Sequence, residues 1–255
     1  MSVTTPKARE TSGGGLWETV KIVIQALLLA LVVRTFLFQP FSIPSASMQD
    51  TLLIGDYLLV SKYAYGYSHF SFPLSPDFFD GRVFGRQPER GDVAVFKLPR
   101  DNRTDFIKRV IGLPGDRIQM RGGVLYINDV AVERESLPDA VHQEPFNQTR
   151  MIPRWRETLP NGVSYETLDL YASGPADSTQ VYEVPPDHYF MMGDNRDNSL
   201  DSRVASGQGG VGFVPFENFV GRAEIIFFSV QDGAGAWQFW RWPWTVRFDR
   251  LFDRL

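Results

Sequence analysis

Two serines in one short segment could supply a nucleophile and a hydroxyl donor. Ser45 and Ser47 lie in the segment Phe41–Met48, directly after Pro44 and ahead of an apolar stretch. A serine hydroxyl attacks a carbonyl only when a neighbouring base removes its proton. Ser-rich turns are common, so the segment predicts a hydrolase only if the chain supplies such a base elsewhere.

Lys108 is the best candidate for that base. It lies in an apolar segment that ends in the turn Gly112–Asp116. Strand alternation puts Phe106, Lys108 and Val110 on one face. If that face is the core, the ammonium loses its hydration and its pKa falls. Moving a lysine pKa from ~10.4 to ~7.5 costs about 4 kcal/mol, which favours a functional role, although a solvated strand lysine is the alternative.

Histidine and cysteine offer little to a competing mechanism. The three histidines, His69, His142 and His188, stand at no metal-ligand spacing, and the chain has no cysteine. Disulfides, cysteine nucleophiles and thiolate metal sites are therefore excluded. We expect structural or surface histidines and neither a metal nor a cofactor.

The polar block Gly193–Arg203 is the third segment that could carry chemistry. Its acid density suggests calcium, but an EF-hand loop starting at Asp197 requires glycine at 202 and glutamate at 208. The chain has Ser202 and Gln208 at those positions. We therefore expect a polar network that fixes a loop beside the active site.

An apolar run near the N-terminus predicts a membrane anchor over residues 16–38. Trp17–Phe38 would span about 30 Å as a helix, the thickness of a bilayer core. A cleavable signal peptide would be shorter and followed at once by a small-x-small site. A buried helix of a soluble protein is the other alternative, but the run has no clear polar stripe. Residues 1–15 are polar and are expected to be a disordered tail.

The charges flanking this run predict its orientation. Lys7, Arg9 and Lys21 precede or open it, and only Arg34 follows before Lys62. The positive-inside rule therefore predicts a cytoplasmic N-terminus and a catalytic region on the other side of the membrane.

Most of the remaining chain predicts β structure. Short segments rich in Val, Ile, Tyr and Phe are bounded by Gly, Pro, Asn or Asp, as strands are. We expect strands at Tyr57–Lys62, Val93–Phe96, Phe106–Ile111, Arg117–Met120, Val124–Asn128, Tyr189–Met192 and Ala223–Val230. The fold class is thus an all-β core over residues 39–129 and 187–236, with a looser β-rich insertion at 130–186.

Composition and the C-terminal segment bear on partners. A formal net charge of -4 argues against nucleic acid, which would require a basic surface. Residues 237–255 concentrate tryptophan and arginine, a combination typical of a membrane interface. A packed aromatic cluster in the core is an equal alternative.

Four motifs in order resemble bacterial signal peptidase I. They are Pro44–Met48 near an anchor, Arg90–Val93, Lys108–Asp116 and Gly193–Arg203. The resemblance implies a partly barrel-shaped, all-β catalytic core with an inserted subdomain. It also implies these roles: Ser47 as nucleophile, Lys108 as general base, Ser45 as an oxyanion-hole hydroxyl, Ser199 as the residue orienting the lysine, and Asp201 with Arg203 as a supporting ion pair.

The same resemblance implies the substrate and the compartment. Residues expected to line the substrate pockets are Phe41, Ile43, Leu52, Phe106 and Ile107. Signal peptides of exported preproteins would be cut after a small-x-small site at the bacterial inner membrane. Asp50 stands where many members have proline, and one anchor is visible where some members have two. A specialised Ser/Lys processing peptidase of the pilin or conjugation type and a non-catalytic membrane-tethered β domain are the alternatives.

Overall fold

The structure is a computed structural model, and it describes residues 15–73, 75–76, 79–144, 148–171, 173–231, 233 and 235–255. The expected disordered tail lies outside the described residues, except for Gly15, which begins the first helix.

One long helix leads into the β structure. Helix α1, Gly15–Val32, continues through a π-helical turn, Val33–Leu37, and runs directly into the first strand. None of the residues of α1 is buried. The 23 residues Gly15–Leu37 are long and apolar enough to cross a membrane. The alternative of a buried helix in a soluble core is therefore wrong.

Fourteen strands follow in the part of the chain that the structure describes. They are β1 Phe38–Ser42, β2 Asp56–Ser61, β3 Val93–Lys97, β4 Asp105–Gly112, β5 Arg117–Arg121, β6 Val124–Ile127, β7 Val130–Ala131, β8 Glu133–Glu144, β9 Gln148–Thr158, β10 Ser164–Leu168, β11 Tyr182–Glu183, β12 His188–Met192, β13 Val214–Pro215 and β14 Phe219–Ser229. Each strand expected from the sequence is present, with ends that differ by a few residues.

The main sheet carries the site. Within the described residues it has seven strands in the order β1-β2-β14-β3-β4-β12-β13, and neighbours run antiparallel. Register shifts interrupt the pairing of β14 with β2 and β3, and bulges of this kind bend a sheet. The predicted all-β, partly barrel-shaped core is confirmed.

Two smaller sheets complete the β structure. One has the order β11-β5-β6-β7 and the other β10-β9-β8. Strands β7 and β11 pair with β6 and β5, so both ends of the predicted insertion 130–186 are hydrogen-bonded to strands outside it. The division of the chain into core and insertion stays a prediction.

Apolar side chains of β2, β3 and β14 support the turn that follows β1. Leu58, Val95 and Ile226 form a buried cluster with Met48 and Leu52. Burying one such side chain stabilises the fold by about 1.5–3 kcal/mol. The turn that contains Ser47 is therefore fixed to the main sheet by its own apolar residues.

The C-terminal segment does not pack in the core. Trp237, Phe239 and Trp244 are 70%, 68% and 76% exposed. Trp242 contacts Phe228 of β14 with ring centroids 5.0 Å apart. The alternative of a buried aromatic cluster is wrong, because these rings face outward.

Candidate active site

Ser47 lies on a single 3₁₀ turn, Ala46–Met48, that follows β1. Ser47 is 8% exposed, while the next residue, Met48, is fully buried. The Leu52 amide donates a hydrogen bond to the Met48 carbonyl at 2.7 Å, which closes the chain after the turn. The buried Met48 thus holds the serine at the surface of the sheet.

Lys108 reaches Ser47 from strand β4. The residues are 61 apart in the chain, and Lys108 Nζ lies 2.5 Å from Ser47 Oγ. Nζ also donates to the Ile107 carbonyl at 2.9 Å. Lys108 is 3% exposed. Burial lowers the pKa of its ammonium to about 8, although the nearby carboxylates of Asp201 and Asp194 oppose the shift.

Ser45 is near its predicted place but is exposed. It precedes the turn in an extended conformation. Its Oγ lies 3.4 Å from Ser47 Oγ. A group bound at Ser47 would therefore be within reach of both hydroxyls.

Ser199 lies close to the Ser47 turn without the hydrogen bond expected from the sequence. Its Oγ is buried and has no hydrogen-bond partner among the described residues. Lys108 Nζ donates hydrogen bonds to Ser47 and Ile107 instead. A Cβ added at Gly193 would overlap both Ser199 Oγ and the Ser47 carbonyl, so the three residues meet at one point. The expected orienting contact is thus absent from this arrangement.

Asp201 and Arg203 form the predicted ion pair. Arg203 Nε and Nη2 donate to the two Asp201 oxygens at 2.9 and 2.8 Å. Asp201 also accepts the Gly193 amide at 3.1 Å. Burial would raise the pKa of Asp201, but the Arg203 charge and these hydrogen bonds hold it below its usual value. The carboxylate therefore stays charged and fixes the chain at Gly193.

Asn195 was missed by the sequence reasoning as an individual residue. Its main-chain N–H donates a hydrogen bond to the Ser47 carbonyl at 3.2 Å, and its side-chain Nδ2 donates to the Ala46 carbonyl at 3.1 Å. Only the polar character of Gly193–Arg203 pointed to such a role. The loop therefore binds the main-chain carbonyls of the serine turn.

A second buried ion pair behind the turn was also missed. Arg109 Nε and Nη2 donate to Asp194 at 2.9 and 2.6 Å. Thr51 Oγ1 donates to the same carboxylate at 2.6 Å. The signal available from sequence was strand alternation, which puts Arg109 on the face opposite Lys108. This pair ties β4, the loop and the chain after Ser47 together.

Two adjoining cavities open beside the Ser47–Lys108 pair. The first has a volume of about 440 Å³ and is lined by Pro44, Ser45, Ala46, Ser47, Thr104, Asp105, Phe106, Ile107, Lys108, Asn198 and Leu200. The second, of about 310 Å³, is lined by Pro40, Phe41, Ser42, Ile43, Pro44, Val95, Asp105, Phe106 and Ile107. Four of the five predicted pocket residues thus line a cavity.

Leu52 is the exception. It is fully buried in the cluster with Met48 and lines neither cavity. Its expected place in a substrate pocket is wrong, because the turn after Ser47 directs it into the core.

Open strand edges flank the cavities. Asp105–Ile107 of β4 pair with β3, whereas β12 pairs with β4 only from Arg109 onward. Strand β1 is the outer strand on its side of the sheet, and β2 is its sole partner among the described strands. An extended peptide could therefore hydrogen-bond to main-chain groups on either side of the cavities.

Three carboxylates elsewhere have a spacing that would suit a metal ion. Oxygens of Asp169, Asp177 and Asp197 lie within 4.8 Å of one another. Arg134 donates to Asp169 at 2.9 Å, and the Tyr171 amide donates to Asp197 at 2.9 Å. One oxygen of each carboxylate accepts a hydrogen bond from the chain itself, whereas Asp169 Oδ1 and Asp197 Oδ1 have no hydrogen-bond partner among the described residues. Three clustered carboxylates do not by themselves establish a metal site, so we assign the cluster no ligand.

The chain is similar in sequence to known peptidases over most of its length. The sequence profile of the family described as "Signal peptidase, peptidase S26" matches residues 16–228. Signal peptidase I of Rickettsia prowazekii is 44% identical over 80% of this chain and 77% of its own. Signal peptidase I of Rickettsia conorii is 42% identical over 94% of this chain and 92% of its own. A solved signal peptidase I from Enterococcus faecalis, 27% identical, covers 54% of this chain and 97% of its own at a TM-score of 0.30, which is too low to carry an argument.

The sequence matches define a serine-type peptidase. The chain belongs to the signal peptidase, peptidase S26 family.

Proposed function

We propose that the chain is a membrane-anchored endopeptidase that removes N-terminal signal peptides from exported preproteins. It cuts after a small-x-small site through an acyl-enzyme, with Ser47 as nucleophile and Lys108 as general base. The observation that carries the proposal is the 2.5 Å contact between Lys108 Nζ and Ser47 Oγ, made by a lysine residue that is 3% exposed.

The reaction follows from the protonation state of the lysine. Neutral Lys108 takes the Ser47 proton as the hydroxyl oxygen bonds to the scissile carbonyl carbon. The lysine then gives this proton to the departing amine, which leaves the acyl group on Ser47. In the second half Lys108 takes a proton from water, the hydroxide attacks the ester, and the proton returns to Ser47. A Ser-Lys pair is a known variant of triad chemistry.

The charge on the tetrahedral oxygen needs donors that act at that stage. We assign this role to the Ser45 hydroxyl and the Ser47 amide, because Ser45 Oγ lies 3.4 Å from Ser47 Oγ. One such donor typically contributes about 3 kcal/mol to the transition state. Ser199 Oγ, buried and without a partner among the described residues, is available to hydrogen-bond the lysine once that lysine leaves Ser47. The Asp201–Arg203 pair supports this loop.

The open strand edges suit an extended substrate. A signal peptide carries small residues two positions apart, and alternate side chains of an added strand point the same way. The two cavities lie side by side and share Pro44, Asp105, Phe106 and Ile107. We assign them to the small side chains at the cleavage site and two residues before it.

The helix and the exposed aromatic segment support attachment to the bilayer. Gly15–Leu37 is long enough to span it, and the exposed rings of 237–244 suit its interface. The basic residues before the helix favour a cytoplasmic N-terminus. The catalytic region would then lie on the periplasmic side of the inner membrane, where exported preproteins emerge.

Cleavage of a precursor with an Ala-x-Ala site tests the proposal. Purified wild type should release the mature product, while Ser47→Ala and Lys108→Ala should bind the precursor and release none. A Ser47→Ala variant that keeps normal function, together with a wild type that cleaves nothing, would favour a non-catalytic β domain. A Ser47→Ala variant that still cleaves would exclude Ser47 as the nucleophile. Cleavage confined to pilin-type precursors would favour a specialised processing peptidase.

A further inference from the structure

A third cavity, which the proposed reaction does not use, lies where the long helix joins the main sheet. It has a volume of about 300 Å³, at the lower end of the range for ligand pockets. Its lining comes from the end of the helix, from β1, β3, β4 and β14, from the residue after β2 and from two loops. These residues are Arg34, Gln39, Lys62, Phe70, Ser71, Phe72, Pro73, Ser75, Lys97, Asn102, Arg103, Asp105 and Val220. We call it the junction cavity.

The junction cavity is cationic. Its single acidic lining residue, Asp105, is paired with Lys97 at 2.8 Å. Three further cations line it: Arg34, Lys62 and Arg103. None of these three makes an ion pair with a carboxylate in the part of the chain that the structure describes. The cavity therefore carries four cations, Arg34, Lys62, Lys97 and Arg103, against the single carboxylate of Asp105.

Burial and the positive charge of the cavity lower the pKa of one of its own residues, Lys62. The residue is 3% exposed, and its Nζ donates to the Ser71 carbonyl at 2.5 Å. Burial, and then the nearby Arg34, lower the pKa of this ammonium to about 8. An ammonium in such surroundings is stabilised by a bound anion, because buried charges are normally paired.

The position of the cavity points to the source of the anion. Arg34 lies three residues before Leu37, the end of the candidate span, which is about 5 Å along a helix axis. Phe36 of the same turn contacts Tyr67 and Phe72 at ring-centroid distances of 5.6 and 6.1 Å, which holds the helix end against the core. With the helix in a bilayer, the cavity lies at the height of the lipid phosphates.

We propose that the junction cavity binds the phosphate of a net-anionic glycerophospholipid. Arg34, Lys62 and Arg103 would surround the phosphate oxygens, and Phe70, Phe72 and Val220 would contact the adjoining apolar part of the lipid. Arginine suits phosphate because its planar fork donates two hydrogen bonds at once. The proposal rests on the membrane anchoring proposed above, and it adds a lipid site that shares Asp105 with the peptidase cavities but contains neither Ser47 nor Lys108.

Lipid binding can be measured on the full-length protein in neutral detergent by native mass spectrometry. The probes are phosphatidylglycerol, phosphatidylcholine and inorganic phosphate. The Arg34→Gln/Arg103→Gln variant should bind phosphatidylglycerol at least about tenfold more weakly, since hydrogen bonds to charged groups are worth about that factor or more. The matched control, Arg86→Gln/Arg100→Gln, removes two exposed arginines outside the cavity and should bind as wild type does.

Four results would overturn the proposal. Two concern the lipid: equal phosphatidylglycerol binding by the cavity variant and wild type, or binding of phosphatidylcholine to wild type as tight as that of phosphatidylglycerol. Two concern competitors: displacement of the lipid by inorganic phosphate at similar concentration, or by an acidic peptide from the mature part of a precursor. Cleavage of a soluble Ala-x-Ala peptide by the same proteins is recorded separately. The cavity variant should cleave this peptide as fast as the control. An equal loss of cleavage and of lipid binding would indicate that the two substitutions damage the fold. It would contradict a lipid site separate from Ser47 and Lys108. Failure of wild type to cleave would count against the peptidase function and leave the lipid comparison intact.

Discussion

At the scale of the residue, the site depends on a lysine kept away from water. Lowering the pKa of Lys108 from 10.5 to about 8 corresponds to about 3 kcal/mol of lost stabilisation of its charged form. The group is 3% exposed, so solvent screens this effect little. The shift places the amine where a useful fraction is neutral near physiological pH, as a general base requires.

The first prediction is the pH dependence of kcat/KM. Only the neutral amine accepts the Ser47 proton, so activity should rise about tenfold per pH unit below the lysine pKa and level off above it. Because burial lowers the pKa of Lys108 to about 8, the bend should lie near pH 8. Cleavage of a soluble Ala-x-Ala peptide between pH 5 and 10 measures this.

Lys62 provides the control for that profile, because burial lowers its pKa to about 8 as well. The Lys62→Met variant should keep the rising limb in place. A limb near pH 10, or one that moves when Lys62 is replaced, would contradict the assignment of the base to Lys108.

Sequence reasoning found the residue types at the site but not every side-chain direction. The segments around Ser47 and Lys108 are not distinctive one by one, and their roles are predicted from the ordered set of four motifs that resembles signal peptidase I. Leu52 could not be placed from its pattern, since a turn of the chain sends it into the core. The contacts of Ser199 depend on a rotamer that no sequence pattern specifies.

At the scale of the element, the loop Gly193–Arg203 holds the serine turn. Its Asn195 bonds to the carbonyls of Ala46 and Ser47, and its Asp201 fixes Gly193. Gly193 packs so closely against the turn that a Cβ would overlap the Ser47 carbonyl and Ser199 Oγ. The glycine is required here for close approach rather than for its backbone angles.

The second prediction therefore concerns Gly193→Ala. The added methyl group should push the Ser47 turn away from Lys108 and lower kcat about a hundredfold, the loss associated with misplacement by about 1 Å. Gly207→Ala is the matched control, because a Cβ there meets nothing within 4 Å. Steady-state kinetics measure kcat of both variants, and circular dichroism checks that they fold. A Gly193→Ala enzyme with normal kcat would refute the role of the loop in positioning Ser47.

Strands were more predictable than their contacts. Runs of β-branched and aromatic residues bounded by turn formers gave the strands of the main sheet, because that pattern is local. The Arg109–Asp194 pair joins residues 85 apart, and the β-rich segment 133–168 forms long paired strands despite weak periodicity. Such pairings depend on the tertiary fold, so local patterns do not specify them.

At the scale of the whole molecule, two apolar features lie outside the core. The helix has no buried residue in its α-helical part, and the C-terminal rings of Trp237 and Trp244 are mostly exposed. Exposed apolar surface of this extent usually marks an interaction site. Attachment of both features to one bilayer would bring the active site close to the apolar segment of a membrane-inserted precursor.

The third prediction tests that attachment. Trp237→Ser/Trp244→Ser should process a bilayer-inserted precursor several-fold more slowly in liposomes, because less apolar surface enters the interface. Its rate on a soluble peptide should stay within about twofold of wild type, since surface substitutions away from the site have small effects. Val130→Ser, at another exposed apolar residue, is the control. Equal slowing on both substrates would argue against a membrane role for the rings.

The central claim is that the amine of Lys108 takes the proton of the Ser47 side chain. A thiol placed at position 47 can report this proton transfer through its reactivity. The chain has no cysteine, so Ser47→Cys introduces its sole thiol. Only the thiolate reacts with an alkylating reagent, and a neighbouring amine favours the thiolate. At pH 7, Ser47→Cys should be alkylated at least about tenfold faster than Ser47→Cys/Lys108→Met. Equal alkylation rates in the two variants would contradict proton transfer between these residues.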